Sequence, residues 1–129
     1  MAETIRPVTV LAVDDQPVFL RAARSLIAAT PGFDQVGQAT SGPEALALAA
    51  SLMPDLVLLD LRMPGMDGVE TARRLHEFNP HAIVVLVSIG EIPASAASSS
   101  GVTTHVRKQS LSPRALQRIW AVHGHHVSI

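Results

Sequence analysis

Five short apolar runs, each followed by a stretch of helical period or turn-forming residues, set the strongest limit on how this chain can fold. The runs are "VTVLAVDD" (8–15), "QVGQAT" (35–40), "DLVLLD" (55–60), "AIVVLVS" (82–88) and "THVRK" (104–108). Strands that alternate with helices are joined by right-handed crossovers into a parallel sheet with helices on both faces. "DLVLLD" is apolar at nearly every position, as a central strand covered on both sides must be, whereas "QVGQAT" is more polar and suits an edge. Hydrophobic residues make up 47% and charged residues only 16% of the 129, which is enough to fill two such layers. The length fits one domain, residues 1–129.

The helical segments carry their own boundary signals. Phe19, Ala22, Ala23, Leu26 and Ile27 recur at three- and four-residue spacing, which predicts one buried helix face, stopped by Pro31 and Gly32. Ser41 and Gly42 lead into "PEALALAASLM", with proline in its first turn and Pro54 closing it. Asp67 can cap a helix presenting Val69, Ala72 and Leu75, which ends near Asn79 and Pro80. Ser112 and Pro113 open the last helix, with Ala115, Leu116, Ile119 and Val122 facing inward and Trp120 at the border of that face. Between Gly90 and Gly101, "EIPASAASSS" combines a proline with serines that favour turns and caps, so only a short or mobile helix is predicted over 91–100.

In open parallel sheets, ligands bind beyond the carboxyl ends of the strands. There this sequence places polar groups: Asp14 and Asp15 after the first strand, Asp60 on the third, Ser88 on the fourth and Lys108 on the fifth. Taken singly, each has an ordinary explanation. Acids after a strand commonly cap the next helix, a strand-end serine bonds to backbone, and an edge lysine is a solvated charge. Jointly they point to a site, because three carboxylates a few ångströms apart raise one another's pKa unless a cation is present. Mg2+ suits oxygen-only ligands and shares them with phosphate oxygens. A phosphate there would find the Ser88 hydroxyl and the Lys108 ammonium as further partners. These residues predict a phosphoryl site.

"VDDQP", "LLDLRMPGMDG", "VLVS" and "GVTTHVRK" together resemble the receiver domain of two-component response regulators, over essentially the whole chain. "DLRMPGMDG" and the compact stretch from Asp60 to Ser88 are similar to the NarL/LuxR-type subgroup. The resemblance implies a CheY-like, flavodoxin-like (βα)5 fold, doubly wound, with strand order 2-1-3-4-5. It implies that Asp60 is the phospho-acceptor, receiving a phosphoryl group from the phosphohistidine of a sensor histidine kinase. The metal site it implies for Mg2+ is made of Asp15 and Asp60 as ligands, Asp14 orienting the waters of the ion, and the backbone carbonyl of Arg62 as a further ligand. Lys108 would pair with the phosphate and Ser88 would swing toward it. His105 stands where the family usually has its switch aromatic. Ile89, where small residues are frequent in the family, would obstruct an attacking water and prolong the phosphorylated form.

By the same resemblance the chain would be a cytoplasmic signalling domain, not an enzyme that turns over a metabolite. Ser88 and His105 would relay the change to an output domain or partner, in transcription regulation. Members of the subgroup usually append a helix-turn-helix DNA-binding domain, which this sequence does not contain, so DNA would be reached only through such a domain. The ending "GHHVSI" fits an excised piece slightly better than a free-standing regulator. A homodimer through the last strand and last helix is the expected self-association.

Two other functions compete. A haloacid-dehalogenase-type phosphohydrolase also uses a strand-end aspartate, but it needs a second acid two residues later, where this chain has Arg62, and a cap segment. A pseudo-receiver would keep the fold as an interaction module without phosphorylation, and would have no need for all five polar strand ends. A net charge of −1 gives no basic field for nucleic acid or membrane surfaces. The absence of cysteine excludes disulfides and thiolate metal sites. No apolar run approaches the ~20 residues that span a bilayer, and the N-terminus lacks the pattern of a secretion signal. His123, His125 and His126 are expected to be a polar tail in preference to a metal site.

Overall fold

The computed structural model describes residues 6–124. The elements in order are β1 (Val8–Val13), α1 (Pro17–Ala28), β2 (Phe33–Ala39), α2 (Gly42–Leu52), β3 (Leu56–Asp60), α3 (Gly68–Phe78), β4 (Ile83–Ser88), α4 (Ala94–Ala97), β5 (Thr104–Arg107) and α5 (Pro113–His123). The five strands are parallel and run β2-β1-β3-β4-β5 across the sheet, the flavodoxin-like order. β2 lies at an edge, as its polar sequence predicts, and begins two residues earlier than expected, at Phe33.

Strand periodicity builds the two helical layers. Residues level with one another on neighbouring parallel strands point to the same face, and successive residues alternate. Leu11, Val57 and Val84 are level and pack with Ala49 of α2 and Leu75 of α3. Val10, Leu56 and Ile83, one step back, pack with Ile27 of α1 and Leu116 of α5. Both faces being covered, every residue of β3 and β4 is buried. Each fully buried Val or Leu contributes roughly 1.5–3 kcal/mol through removal from water, and this drives the sheet to the centre.

Side-chain caps set the helix starts. Asp67 Oδ1 accepts from the Glu70 N–H at 2.9 Å, and the Ser41 and Ser112 hydroxyls do the same for α2 and α5.

Two residues assigned to inward faces lie outside. Ala22 is exposed, because α1 turns Leu20, Ala23 and Ile27 to the sheet and one residue's rotation of about 100° carries position 22 off that face. Val122 is 63% exposed. It lies about 120° round the helix from Leu116, the buried residue of α5. Ile119 and Trp120 are half-buried beside Leu116.

The serine-rich segment holds a single helical turn, α4. The Ser98 and Ser99 hydroxyls donate back to the carbonyls of Ala94 and Ser95, at 2.9 and 2.7 Å, which competes with helix continuation. β5 ends at Arg107, one residue short of the predicted end, and Lys108 begins a 3-10 turn that runs to Ser110. His125 and His126 lie outside the described residues.

Candidate functional site

Strand register brings the polar groups together. Val13 is level with Leu59, so Asp14 and Asp60 follow side by side at the carboxyl ends of the two central strands. Asp60 is level with Val87, and the Leu61 N–H donates to the Val87 carbonyl at 2.9 Å, which carries the ladder one step past the end of β3. Ser88 is level with Arg107, and Lys108 emerges one residue beyond. Carboxylate oxygens of Asp14, Asp15 and Asp60 lie within 4.8 Å of one another. Asp15, Asp60, Arg62, Ser88 and Lys108 line one cleft of about 790 Å3. Five of the predicted site residues, Asp14, Asp15, Asp60, Ser88 and Lys108, therefore meet at one edge of the sheet.

The acids are not equivalent. Asp14 is fully buried, and its Oδ1 accepts from the Gln16 N–H at 2.8 Å, shaping the entry to α1. Its Oδ2 accepts no well-aligned hydrogen bond but lies 2.7 Å from Lys108 Nζ, so the ion pair is what compensates it. The same Nζ is 3.6 Å from Asp60 Oδ1. Burial pushes the Asp60 carboxyl up to about 6, and the negative charge of Asp14 adds to this; Lys108 opposes the rise and Asp15 augments it. One ammonium faces three carboxylates. An all-oxygen donor set with such an excess of negative charge fits a hard divalent cation of the Mg2+ class.

The loop after Asp60 depends on close backbone approach. The Gly68 N–H donates to the Leu61 carbonyl at 2.9 Å, and a Cβ at Gly68 would lie 2.3 Å from the Asp60 carbonyl oxygen. Only glycine lets α3 begin so near the end of β3. Arg62, two residues past Asp60, is exposed and lines the cleft.

His105 is not brought into the pocket. It is level with Leu86 and so faces the side covered by α2, α3 and α4, but α4 is one turn long and leaves it exposed. Ile89 and Val18 stand exposed on the cleft wall, at 70% and 69%. Phe19 is the contact that sequence reading did not anticipate. Its ring belongs to the inward face that the spacing predicts, yet it also underlies Lys108, with Nζ 4.5 Å from the ring centroid. No local signal announces this, because the lysine arrives from the far end of the chain.

Among the described residues, no helix is long and apolar enough to cross a membrane. The family model for the response regulator receiver domain matches residues 10–120. The chain is 42% identical over 83 residues to the nitrate/nitrite response regulator protein NarL of Escherichia coli K12, a match that covers 64% of this chain and 38% of NarL. It spans about two fifths or less of the curated relatives it matches first. The solved signal receiver domain of the putative response regulator NarL from Mycobacterium tuberculosis superposes with a TM-score of 0.82 at 27% identity, covering 94% of this chain and 99% of that one. A chain of the CheX-CheY-BeF3-Mg2+ complex from Borrelia burgdorferi gives 0.76 at 30% identity, covering 91% and 90%. With the strand order, the edge-clustered acids and these matches in agreement, the chain belongs to the response regulator receiver domain family, and to its NarL/LuxR type.

Proposed function

We propose that this domain is a phosphoryl-accepting switch of a two-component system, with Asp60 taking a phosphoryl group from the phosphohistidine of a sensor histidine kinase. The observation that supports this best is the meeting of three carboxylates, their oxygens within 4.8 Å, with an ammonium 3.6 Å from Asp60. An Asp60 carboxylate oxygen attacks phosphorus; the new O–P bond forms as the N–P bond breaks, and the leaving imidazole keeps the electron pair and takes a proton. Asp15, Asp60 and the backbone carbonyl of Arg62 would hold Mg2+, with Asp14 orienting its waters, and the bound ion would neutralise charge on the transferring phosphoryl. Lys108 moves from Asp14 to the phosphoryl oxygens, and the Ser88 hydroxyl donates to another of them. With Arg62 standing where a second acid would activate water, the transfer stops at the acyl phosphate. On this reading the domain is an acceptor that turns over no metabolite, acting in the cytoplasm with its kinase.

The relay runs through Ser88 and His105 as a population shift between two packings, to an output domain or partner in transcription regulation. His105 starts from an exposed position on β5, so an inward turn would bury an imidazole that now faces water. Homodimerisation through β5 and α5, whose outer side carries Val122, completes the proposal. DNA is contacted only through an output domain, and no membrane is involved.

Incubation with acetyl phosphate and Mg2+, read by intact mass, tests the reading. The expected result is a gain of about 80 Da that Asp60→Asn abolishes. Continuous phosphate release would instead indicate a phosphohydrolase, and no adduct would indicate a pseudo-receiver.

A further inference from the structure

Lys108 is held from three sides. Its Nζ lies 2.7 Å from Asp14 Oδ2, 3.6 Å from Asp60 Oδ1 and 4.5 Å from the centroid of the Phe19 ring. Two of these contacts are carboxylates that the site itself uses. A divalent cation drawn to the acids competes with the ammonium for the same oxygens, and phosphorylation of Asp60 converts the second contact into something new. The ring is the contact that neither event removes. Its attraction for a cation comes from the aromatic quadrupole, which binds no metal here and accepts no phosphoryl group.

The position of the ring is tied to the acids through the backbone. Asp14 Oδ1 accepts from the Gln16 N–H at 2.8 Å, and the Phe19 N–H donates to the Gln16 carbonyl at 3.1 Å. One aspartate thus sets the first turn of α1 with one oxygen and holds the ammonium with the other. Val106 of β5, two residues before Lys108, packs in the layer that includes Phe19. Phe19 also rests against Ala12, Leu20 and Ala23 while it lines the cleft, so the ring is anchored behind and open in front.

We propose, resting on the phosphoryl-transfer reading above, that Phe19 is a positioning residue: its ring face keeps the Lys108 ammonium beside Asp60 when a cation displaces it from Asp14. The lysine is then in place for an incoming phosphoryl group. What matters is the aromatic face, and apolar bulk alone does not replace it.

The test uses the whole chain with Phe19→Leu and Phe19→Trp. In metal-free wild type, NMR should find the Lys108 Hε protons shifted upfield by the ring current, with the shift lost in Phe19→Leu and kept in Phe19→Trp. At saturating Mg2+, phosphorylation by acetyl phosphate should slow about three- to tenfold in Phe19→Leu and stay within about twofold of wild type in Phe19→Trp. Mg2+ affinity should stay within about twofold in both variants, since Phe19 offers the ion no ligand. If Phe19→Leu does not fold, Phe19→Met supplies an unringed side chain of similar volume. A Phe19→Leu rate equal to wild type, a Phe19→Trp rate as slow as Phe19→Leu, or a wild type without the ring-current shift overturns the proposal. A wild type that shows the shift but takes no phosphoryl group overturns the phosphoryl reading itself, and the role of Phe19 falls with it.

Discussion

The Lys108 ammonium is paired first with Asp14, its Nζ lying 2.7 Å from Oδ2 of that fully buried acid. Asp60, the proposed acceptor, is the more distant partner at 3.6 Å. In the metal-free site the lysine is thus the internal counter-ion of the deepest carboxylate. On the proposed function, a metal that binds the acids would take over that task and leave the lysine to serve a phosphoryl group.

Removing the counter-ion should therefore have opposite effects on stability and on metal binding. Lys108→Met leaves Asp14 buried without compensation and should cost about 3–5 kcal/mol of stability at neutral pH without metal. It also removes a competitor for the carboxylate oxygens, so Mg2+ should bind several-fold more tightly, by roughly 1 kcal/mol. Thermal melts and calorimetric titration read the two effects. Weaker Mg2+ binding by Lys108→Met would contradict this account of the site.

Asp60 sets a pH dependence whose sign can be worked out. Its folded pKa of about 6 lies above the ordinary value of 3.8, so between these pH values the folded protein holds a proton that the unfolded chain has released. Stability without metal should fall as pH rises through that window, by on the order of 2 kcal/mol, and stay low above it. Asp60→Asn, which cannot ionise, should raise the melting temperature at pH 8 and change it little at pH 4. Mg2+ affinity should move the other way and weaken as pH falls through about 6, because protons and metal compete for the same oxygens. An Asp60→Asn variant no more stable than wild type at pH 8 would count against the coupling.

Ile89 should govern how long the acyl phosphate lasts. Its side chain is 70% exposed, next to Ser88 on the wall of the cleft, where a β-branched apolar group would obstruct a water approaching a phosphorylated Asp60. Ile89→Gly should hasten loss of the phosphoryl group about tenfold, a barrier change of roughly 1.4 kcal/mol. Decay of the phosphorylated protein followed by mass or Phos-tag gel measures it. A wild-type half-life of seconds would argue against this protection.

Much of the site could be read before folding was considered, for a physical reason. In a parallel sheet buried on both faces, a polar residue is tolerated only where a strand leaves the core, so Asp60 after "LVLL" and Ser88 after "VVLV" mark strand ends in the text itself. The helix caps Ser41, Asp67 and Ser112 are local for the same reason, since each bonds within three residues of itself. Errors arose where spacing specifies a period but not its phase: Ala22 and Val122 fit the helical repeat and still face water.

Composition, period and local capping were thus sufficient for the strand-helix order, for the choice of a doubly covered sheet and for the set of polar residues that end its strands. They could not say that Lys108 pairs with Asp14 in preference to Asp60, that Phe19 lies beneath it, or that a one-turn α4 leaves His105 in the open. Those facts depend on register between strands and on which helix covers which stretch of sheet. Such relations join residues distant in the chain, and contact energies between them exist only once the whole sheet has closed.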